Sequence, residues 1–312
     1  MKVAITGGTG FIGKHLAMYC ISHGHEVRIL SRKPNIKWPL DSVRWFTGDL
    51  NEPSCLLPFV DGVDILYHCA GQLTETDLML SLHVDGTQNL IEAASHRIGH
   101  WVQLSSVGVY GAVSEGVINE ESPINPVGVY EVTKAESDQI VLNAASQGSF
   151  SCSILRPSNV FGADMKNQSL FSMISMIDRG LFFFIGKPGA SANYIHVDNV
   201  VDGLIRCGTI SAAKGRIYNL SDHCTMEAFV SLISDALGCN CPRIHLPEMP
   251  LRWASKLAGV IPGFPLTHSR VNALVNRSTY QTDRIEAELH YVHVMSMENG
   301  LKQLVAAYRS KQ

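Results

Sequence analysis

The chain has 312 residues, of which 46% are apolar, and its formal net charge is −3. This length and composition predict one large α/β unit with a substantial core, together with a smaller lobe, and they exclude a disordered protein. The small negative charge disfavours binding to nucleic acid.

Short apolar runs alternate with segments of helical periodicity through the first two thirds of the chain. The predicted strands are Lys2–Thr6, Glu26–Leu30, Val43–Thr47, Asp64–Cys69, His100–Leu104 and Cys152–Leu155. The predicted helices among them are Ile12–Ser22, Leu82–Ser95 and Val129–Ala145. This alternation predicts right-handed βαβ units in a Rossmann-type, doubly wound parallel sheet that is covered on both faces.

The alternation weakens after about Gly162. Two further helices and two short strands are predicted at Leu170–Leu181, Met226–Leu237, Tyr194–Val197 and Arg216–Leu220. They predict a smaller, mixed α/β C-terminal lobe that binds the substrate. We place the nucleotide-binding domain at residues 1–162, with 191–221 added to it, and the substrate lobe at 163–190 and 222–312.

The cysteines and the apolar runs bear on the kind of protein. The eight cysteines are scattered, without a zinc-type spacing, so we expect reduced thiols, no metal site and a cytoplasmic location. No apolar run approaches the ~20 residues of a membrane-spanning helix, so no integral membrane segment is expected.

A cluster of glycines directly follows the first predicted strand and opens the first helix. Gly7, Gly10 and Gly13 lie in TGGTGFIG. This strand–turn–helix setting is typical of a loop that holds a dinucleotide pyrophosphate against the N-terminus of a helix. We therefore expect this loop, including Phe11 and Ile12, to bind a dinucleotide cofactor.

Tyr130 and Lys134 lie four residues apart in VYEVTK and share one face of a predicted helix. Tyrosine has a pKa of ~10, and a nearby ammonium group favours the phenolate, so Lys134 is expected to lower the pKa of Tyr130 towards the working pH. Ser105 and Ser106 end a predicted strand at the carboxyl edge of the sheet, where ligands bind. A serine hydroxyl there can donate to a substrate carbonyl oxygen while the tyrosine transfers the proton.

With the glycine loop, Ser106, Tyr130 and Lys134 in this order, the chain resembles the extended short-chain dehydrogenase/reductase family. This is the NAD(P)-dependent epimerase/dehydratase group that includes UDP-galactose 4-epimerase. The resemblance covers nearly the whole chain, and its motifs include GDL (48–50), HCAG (68–71), SSVGVYG (105–111), ILRPSNVFG (154–162) and YIHVDNV (194–200). These motifs are specific for the family and much less specific for the substrate.

The resemblance implies roles for the matching residues. Ser106 orients the substrate, Tyr130 is the acid/base, and Lys134 lowers the pKa of Tyr130 and binds the nicotinamide ribose. Asn159 contacts the phosphates of a nucleotide substrate. The other implied cofactor contacts lie beside the adenine, after the fourth strand and beside the nicotinamide: Asp49, Leu50, Ala70, Gly71, Pro157 and Ser158. Relatives are often dimers, so a homodimer is also implied.

Two positions depart from the family pattern. His83 stands where the family usually has an asparagine that helps to shape the active-site helix, and it has either a structural role or a role in a different water network. Ala192 stands where sugar-nucleotide enzymes often have a phosphate-binding arginine. Arg252, Arg270 or Arg277 could replace that arginine, and nothing in the sequence selects one of them.

The end of the second strand, VRILSRKP (27–34), bears on the choice of cofactor. NAD-preferring relatives have Asp or Glu at its end, and a carboxylate there would repel the 2′-phosphate of NADP. Ser31 occupies this position; it can donate to that phosphate, and Arg32, with Lys33 beside it, can bind the phosphate. The pattern favours NADP(H), with NAD(H) possible; the alternative is an ordinary solvated turn.

The motifs narrow the reaction. Val107 and Gly108 stand where the family's dehydratases have an acid pair, and no cysteine stands near Ser106 as in combined 3,5-epimerase/reductases. The leading hypothesis is therefore an NADPH-dependent ketoreductase that acts on a nucleotide-linked sugar. The alternative is a UDP-sugar 4-epimerase with tightly bound NAD.

A third interpretation keeps the fold and changes the substrate. The stretch MPLRWASKLAGVIPGFPL (249–266) could form an apolar lid or rest on a membrane surface, which suggests a sterol-like or other apolar ketone. Core or dimer packing is the plainer use of this stretch. A non-catalytic NADP sensor is disfavoured, because it would not need Ser106, Tyr130 and Lys134 together.

Overall fold

The computed structural model describes residues 1–33, 43–165, 168–258 and 268–311. The strands in this part of the chain are β1 (Lys2–Thr6), β2 (Glu26–Ser31), β3 (Val43–Thr47), β4 (Val63–His68), β5 (Ile98–Leu104), β6 (Glu115–Ile118), β7 (Ser151–Pro157), β8 (Asn159–Phe161), β9 (Phe184–Ile185), β10 (Ser191–His196), β11 (Arg216–Leu220), β12 (Asp222–Thr225), β13 (His245–Leu246) and β14 (Arg277–Tyr280).

The α-helices in the same ranges are α1 (Phe11–Ser22), α2 (Pro53–Val60), α3 (Thr76–Leu80), α4 (Gly86–Ala94), α5 (Val129–Ser146), α6 (Ser169–Asp178), α7 (Val197–Thr209), α8 (Met226–Leu237), α9 (Glu248–Ala258), α10 (His268–Val275), α11 (Asp283–Leu289) and α12 (Met297–Arg309). A π-helical turn, Ser81–Asp85, joins α3 to α4.

Seven strands form one parallel sheet in the order β11-β7-β5-β4-β1-β2-β3. The predicted Rossmann-type fold is therefore confirmed, and each of the six predicted strands is present with ends within two residues of the prediction. The direction of strand order reverses between β1 and β4. The carboxyl ends of strands flanking such a reversal form a cleft in which ligands bind.

Helices cover both faces of this sheet because successive strand residues point to opposite sides. Ile5 in β1 packs into a core with Leu16 of α1 and Leu204 of α7. Ala4 belongs to the opposite core, where Leu90 of α4 packs on the sheet. A sheet buried on both sides explains why these strands are near-continuous apolar runs.

A second apolar core packs around the three-stranded sheet β12-β10-β8, and we call this part of the structure the second lobe. Its strands β8 and β10 come from residues that were predicted to belong to the nucleotide-binding domain. Helix α8 keeps the bounds predicted from the sequence. It begins where the Thr225 side chain accepts a 3.2 Å hydrogen bond from the Ala228 N–H, and it ends at Gly238 with φ of +68°. A side-chain N-cap and a left-handed glycine are the usual start and stop signals of a helix.

Several regions differ from the predicted elements, and α7, β8 and β12 are among the elements that were not predicted. The helix predicted at Leu82–Ser95 begins as α-helix only at Gly86, because the π-helical turn precedes it. The pairs β6–β14 and β9–β13 were not predicted, and β6 pairs with a strand about 160 residues later in the chain.

Within the described ranges, none of the helices combines the length and the apolar character needed to cross a membrane. Of the apolar stretch 249–266, residues 259–266 lie outside the described residues. Met249 and Trp253, which belong to α9 within this stretch, are exposed.

Candidate active site

The glycine loop lies between β1 and α1 at the strand-order reversal. Gly7 has φ of +66°, and a Cβ there would lie 2.6 Å from the carbonyl oxygen of Cys69. A Cβ on Gly13 would overlap the carbonyl oxygen of Gly7. The Gly10 N–H donates to that same oxygen over 2.8 Å, and α1 begins one residue later. The loop thus brings bare backbone to the N-terminus of α1, an arrangement that suits a pyrophosphate.

The two residues that open α1 point into different cores. The Phe11 ring packs towards the second lobe, 5.6 Å from the His15 ring between centroids, and Ile12 packs against the core of the sheet. Their predicted contacts with a cofactor stay predictions.

The turn after β2 is closed by the serine that ends the strand. Ser31 Oγ donates to the Lys33 carbonyl oxygen over 2.8 Å and accepts from the Lys33 N–H over 3.2 Å. Arg32 is exposed beside Asp49, and Leu50 is buried. The serine hydroxyl therefore supports the turn, and Arg32 and Lys33 are exposed cations at the predicted 2′-phosphate site.

The segment after β4 is held against β1. The Ala70 N–H donates to Thr6 Oγ1 over 3.3 Å, and Thr6 Oγ1 also lies 2.7 Å from His68 Nδ1. A Cβ on Gly71 would lie 3.5 Å from His83 Nε2. These contacts fix the backbone path along which Ala70 and Gly71 are predicted to line the cofactor.

Ser106, Tyr130 and Lys134, which are far apart in the chain, come together at the carboxyl end of β5. Ser106 caps the 3₁₀ turn after β5, where its Oγ accepts from the Gly108 N–H over 3.1 Å. Tyr130 lies in the first turn of α5, with its phenol near enough to the Ser106 hydroxyl for that hydroxyl to influence its pKa. Lys134, one turn later, is buried and donates through Nζ to the Leu104 carbonyl oxygen over 2.5 Å.

The electrostatics of this group differ in direction from the expectation. Burial raises the pKa of Tyr130 to about 12, and the hydrogen bond from Ser106 lowers it only in part. Burial also lowers the pKa of Lys134, whose ammonium group is bound to Leu104. The predicted lowering of the Tyr130 pKa is therefore not what this structure has, because burial outweighs the stabilisation of the phenolate. A half-buried, protonated phenol is suited to donate a proton.

Pro157 ends β7, and the two residues after it contact different sheets. Ser158 contacts the seven-stranded sheet, and Asn159 belongs to the three-stranded sheet. Ser158 is buried, and its N–H donates to the Leu220 carbonyl oxygen of β11 over 2.9 Å. The Asn159 side chain donates to the Asn193 carbonyl oxygen in β10 over 3.1 Å. Asn159 and Asn193 belong to neighbouring strands of the three-stranded sheet, so this bond lies within that sheet. The predicted contact of Asn159 with a substrate phosphate stays a prediction.

A buried ion pair beneath these residues was not predicted. Asp138 Oδ2 accepts from Ser105 Oγ over 2.7 Å and from Arg156 Nε and Nη2 over 3.2 and 3.1 Å. Arg156 also donates to the Tyr110 hydroxyl over 3.1 Å. The available signal was the spacing of Asp138, four residues after Lys134. The pair ties α5 to the ends of β5 and β7.

Residue 192, where sugar-nucleotide enzymes often have a phosphate-binding arginine, has no positively charged side chain. Ala192 is buried in β10. Arg277 donates to the carbonyl oxygens of Lys187 and Pro188 over 2.7 and 2.9 Å, and Arg252 Nε lies 2.6 Å from Glu248 Oε1. Arg252 and Arg277 are therefore engaged within the lobe, and Arg270 is not free either.

A cavity of about 410 Å³ opens in the second lobe between β9, the start of α9 and the start of β14. Its lining combines apolar side chains, Ile185, Met249 and Val275, with the charged Lys187 and Glu248.

Comparison with known proteins gives a consistent relationship. Residues 3–221 match the model of the NAD dependent epimerase/dehydratase family. A 4-hydroxy-2-methyl-3-oxo-4-farnesyl-3,4-dihydroquinoline-1-oxide ketoreductase from Stigmatella aurantiaca is 26% identical, over 97% of this chain and 96% of its own. A 2-alkyl-3-oxoalkanoate reductase from Stenotrophomonas maltophilia is also 26% identical, over 98% and 99%. A decarboxylating sterol-4-alpha-carboxylate 3-dehydrogenase from Homo sapiens is 24% identical, over 99% and 88%.

Solved structures show the same fold. The crystal structure of gox2253 superposes with a TM-score of 0.80 at 24% identity and covers 99% of this chain and 98% of its own. MoeE5 in complex with UDP-glucose and NAD has a TM-score of 0.77 at 22% identity and covers 100% and 99%. These likenesses concern the fold of the chain.

Proposed function

The chain belongs to the NAD dependent epimerase/dehydratase family, and from this membership we propose that it interconverts a ketone and a secondary alcohol on a largely apolar substrate. The observation that carries the proposal is the half-buried Tyr130 phenol, which lies beside Ser106 at the carboxyl end of β5. Its raised pKa keeps the proton that reduction of a ketone consumes.

The residues of the site divide the work of this reaction. A bound nicotinamide cofactor supplies or accepts the hydride. The Ser106 hydroxyl turns from Tyr130 to the substrate carbonyl oxygen and polarises it, and the Tyr130 hydroxyl donates its proton to the same oxygen as negative charge develops there. Lys134, held by the Leu104 carbonyl oxygen, keeps its ammonium group one helical turn from the phenol.

Three observations support an apolar substrate over the nucleotide-linked sugar of the leading hypothesis. The relatives that match this chain end to end are named for ketones or alcohols on alkyl, farnesyl or sterol skeletons. Ala192 replaces a phosphate-binding arginine, and Arg277 is bound to backbone. Exposed apolar side chains also lie next to the predicted site in the chain: Leu73, which is 71% exposed, comes two residues after Gly71, and Val129 comes just before Tyr130.

We propose NADPH as the preferred cofactor. The support is the absence of a carboxylate at the end of β2 and the exposed guanidinium of Arg32 in the turn that follows. A guanidinium can bind a 2′-phosphate bidentately, whereas Asp or Glu at Ser31 would repel it.

We also propose a homodimer that pairs α4 and α5 with their copies, as the family resemblance implies. Val132 on α5 is 42% exposed although it is apolar. Val132→Asp should lower the mass measured by analytical ultracentrifugation to that of one chain if the proposal is right, and leave the mass unchanged if it is wrong.

The function is tested by following the oxidation of NADPH with three groups of ketones: a 2-alkyl-3-oxo acid, a 3-keto sterol and UDP-sugars that carry a 4-keto group. We expect turnover with one of the apolar ketones, and its loss in Tyr130→Phe. Turnover with the UDP-sugars alone would overturn the apolar substrate and leave the oxidoreductase assignment intact. No turnover with any ketone would overturn both.

A UDP-sugar 4-epimerase is the second candidate, and the fold shared with MoeE5 in complex with UDP-glucose and NAD favours it. Such an enzyme returns its cofactor unchanged and holds it tightly. Absorbance of tightly bound nicotinamide in the purified protein, together with thermal stabilisation by UDP-sugars, would support this candidate.

A further inference from the structure

His83 lies in the π-helical turn and is 1% exposed, at a position where the family resemblance implies asparagine. Both of its ring nitrogens have partners. The Gln72 N–H lies 2.9 Å from Nε2, and Thr133 Oγ1 lies 2.8 Å from Nδ1. Gln72 directly follows Ala70 and Gly71, which are predicted to line the cofactor, and Thr133 lies on α5.

The hydrogen-bond chemistry fixes the tautomer of this ring. A backbone N–H can only donate, so Nε2 must accept the bond from Gln72. The Thr133 hydroxyl gives its proton to the Val129 carbonyl oxygen over 2.8 Å, so its oxygen is left to accept. Nδ1 therefore carries the proton of a neutral ring and donates to Thr133.

The same ring contacts the predicted acid/base. The His83 and Tyr130 rings meet edge to face, with 5.7 Å between their centroids and 79° between their planes. A Cβ on Gly71 would touch His83 Nε2 at 3.5 Å. His83 therefore adjoins both the segment predicted to line the cofactor and the helix that carries Tyr130.

We propose that His83, as a neutral Nδ1–H imidazole, is a positioning residue that couples the backbone of residues 70–72 to Tyr130. Asparagine cannot span this gap, because its amide atoms reach the level of Nδ1 and stop one atom short of Nε2. The role of His83 in holding residues 70–72 is inferred from geometry alone, whereas its role in positioning Tyr130 rests on the proposed function.

The charge state agrees with this arrangement. Burial and, secondarily, the nearby Lys134 ammonium group lower the pKa of His83 to about 4. His68, which is also buried, faces the same region, and its pKa is lowered to about 3 for the same reasons. The ring therefore stays neutral at pH 7, as the bond from Gln72 requires.

The first experiment measures NADPH and NADH dissociation constants by nicotinamide fluorescence. His83→Gln places an amide oxygen near the position of Nε2 and keeps the bond from Gln72, whereas His83→Asn keeps only the partner on α5. We expect His83→Asn and His83→Phe to weaken cofactor binding by about fivefold, as loss of a hydrogen bond of ~1 kcal/mol implies, and His83→Gln to stay within about twofold. Equal effects of Gln and Asn would overturn the proposal.

The matched control is His100, a second buried and neutral histidine. Its nitrogens lie 2.7 and 3.0 Å from Ser151 Oγ and Ser153 Oγ, at the amino end of β5, away from the site. His100→Asn should lower the thermal midpoint and leave both cofactor constants unchanged. A weakening like that of His83→Asn would show that the effect is general destabilisation and would overturn the proposal.

Two further measurements separate this proposal from the proposed function. The ¹⁵N shifts of the wild-type protein at pH 7 should show His83 neutral, with its proton on Nδ1; a proton on Nε2 would overturn the proposal without any variant. With a ketone that the enzyme turns over, His83→Gln should lower kcat, because the contact with Thr133 is lost. The dissociation constant of the cofactor should stay unchanged. An unchanged kcat would remove Tyr130 from the coupling.

Discussion

Arg32 Nε lies 3.9 Å from Asp49 Oδ2, across the turn that ends β2. The pair joins the cation predicted to bind a 2′-phosphate to the acid predicted to flank the adenine. The Arg32 side chain is 77% exposed, so the pair is a weak, screened contact from which the guanidinium can turn to a phosphate.

Arg32→Ala is expected to weaken NADPH binding by about tenfold and to leave NADH binding within about twofold, because only NADPH has the 2′-phosphate. Ser31→Asp should reverse the preference by repulsion. Arg44→Ala, which removes an exposed arginine packed on Phe46, is the matched control for a general loss of charge. If neither Arg32→Ala nor Ser31→Asp changes the ratio of the NADPH and NADH dissociation constants, this segment is an ordinary solvated turn.

Tyr130→Phe removes the proposed proton donor and should lower kcat by about 10²- to 10⁴-fold, the usual contribution of general acid catalysis. NADPH binding should remain. Tyr110→Phe is the comparison, because Tyr110 is also buried but its hydroxyl donates to Asn219 over 2.9 Å and accepts from Arg156. We expect it to lower stability and spare turnover. Turnover in Tyr130→Phe within a few-fold of wild type would remove Tyr130 from the mechanism.

The two reaction directions should respond differently to pH. Burial raises the pKa of Tyr130 to about 12, so the phenol is protonated throughout the neutral range. Reduction needs this proton and should be flat between about pH 6 and pH 9, whereas oxidation needs the phenolate and should rise by up to about tenfold per pH unit. A reduction rate that falls across that range would instead indicate the lowered pKa predicted from the sequence. Initial rates in both directions supply the test.

Asp138→Asn leaves Arg156 buried without its counter-charge and should lower the free energy of unfolding by about 3 kcal/mol or more. The side chains of Asp138 and Arg156 are 3% and 5% exposed. The double variant Asp138→Leu with Arg156→Met should cost less than the single one, because it leaves no unpaired charge. Urea unfolding followed by circular dichroism measures both. Glu298→Gln, which breaks an exposed pair with Lys302, should not move the midpoint.

The sequence predicts the seven-stranded sheet well because each of its strands is a local, apolar run bounded by turns. The grouping of Ser106, Tyr130 and Lys134 was also predictable, since two of them share a helix face and the third ends a strand at the ligand-binding edge. The bridge made by His83 was not, because its partners depend on a π-helical turn that ordinary helical periodicity does not show.

The pKa of Tyr130 and the contacts of the arginines could not be predicted from the sequence, for a different reason. A charge four residues away can be read from the sequence, but the burial that opposes it arises only when α5 packs beside the π-helical turn. Likewise, Arg277 is a free cation in the sequence and is bound to two backbone carbonyl oxygens in the structure. Such contacts depend on neighbours that are distant in the chain.

The parallel pairing of β6 with β14 has a consequence for synthesis on the ribosome. Glu115 pairs with Arg277 and Ile118 with Tyr280, so the earlier strand must wait for a partner that is translated about 160 residues later. At ~5–20 residues per second, this wait lasts roughly 8 to 30 s. During that time β6 has an unpaired edge, next in the chain to the segment that leads to Tyr130, and such an edge is open to pairing with another chain.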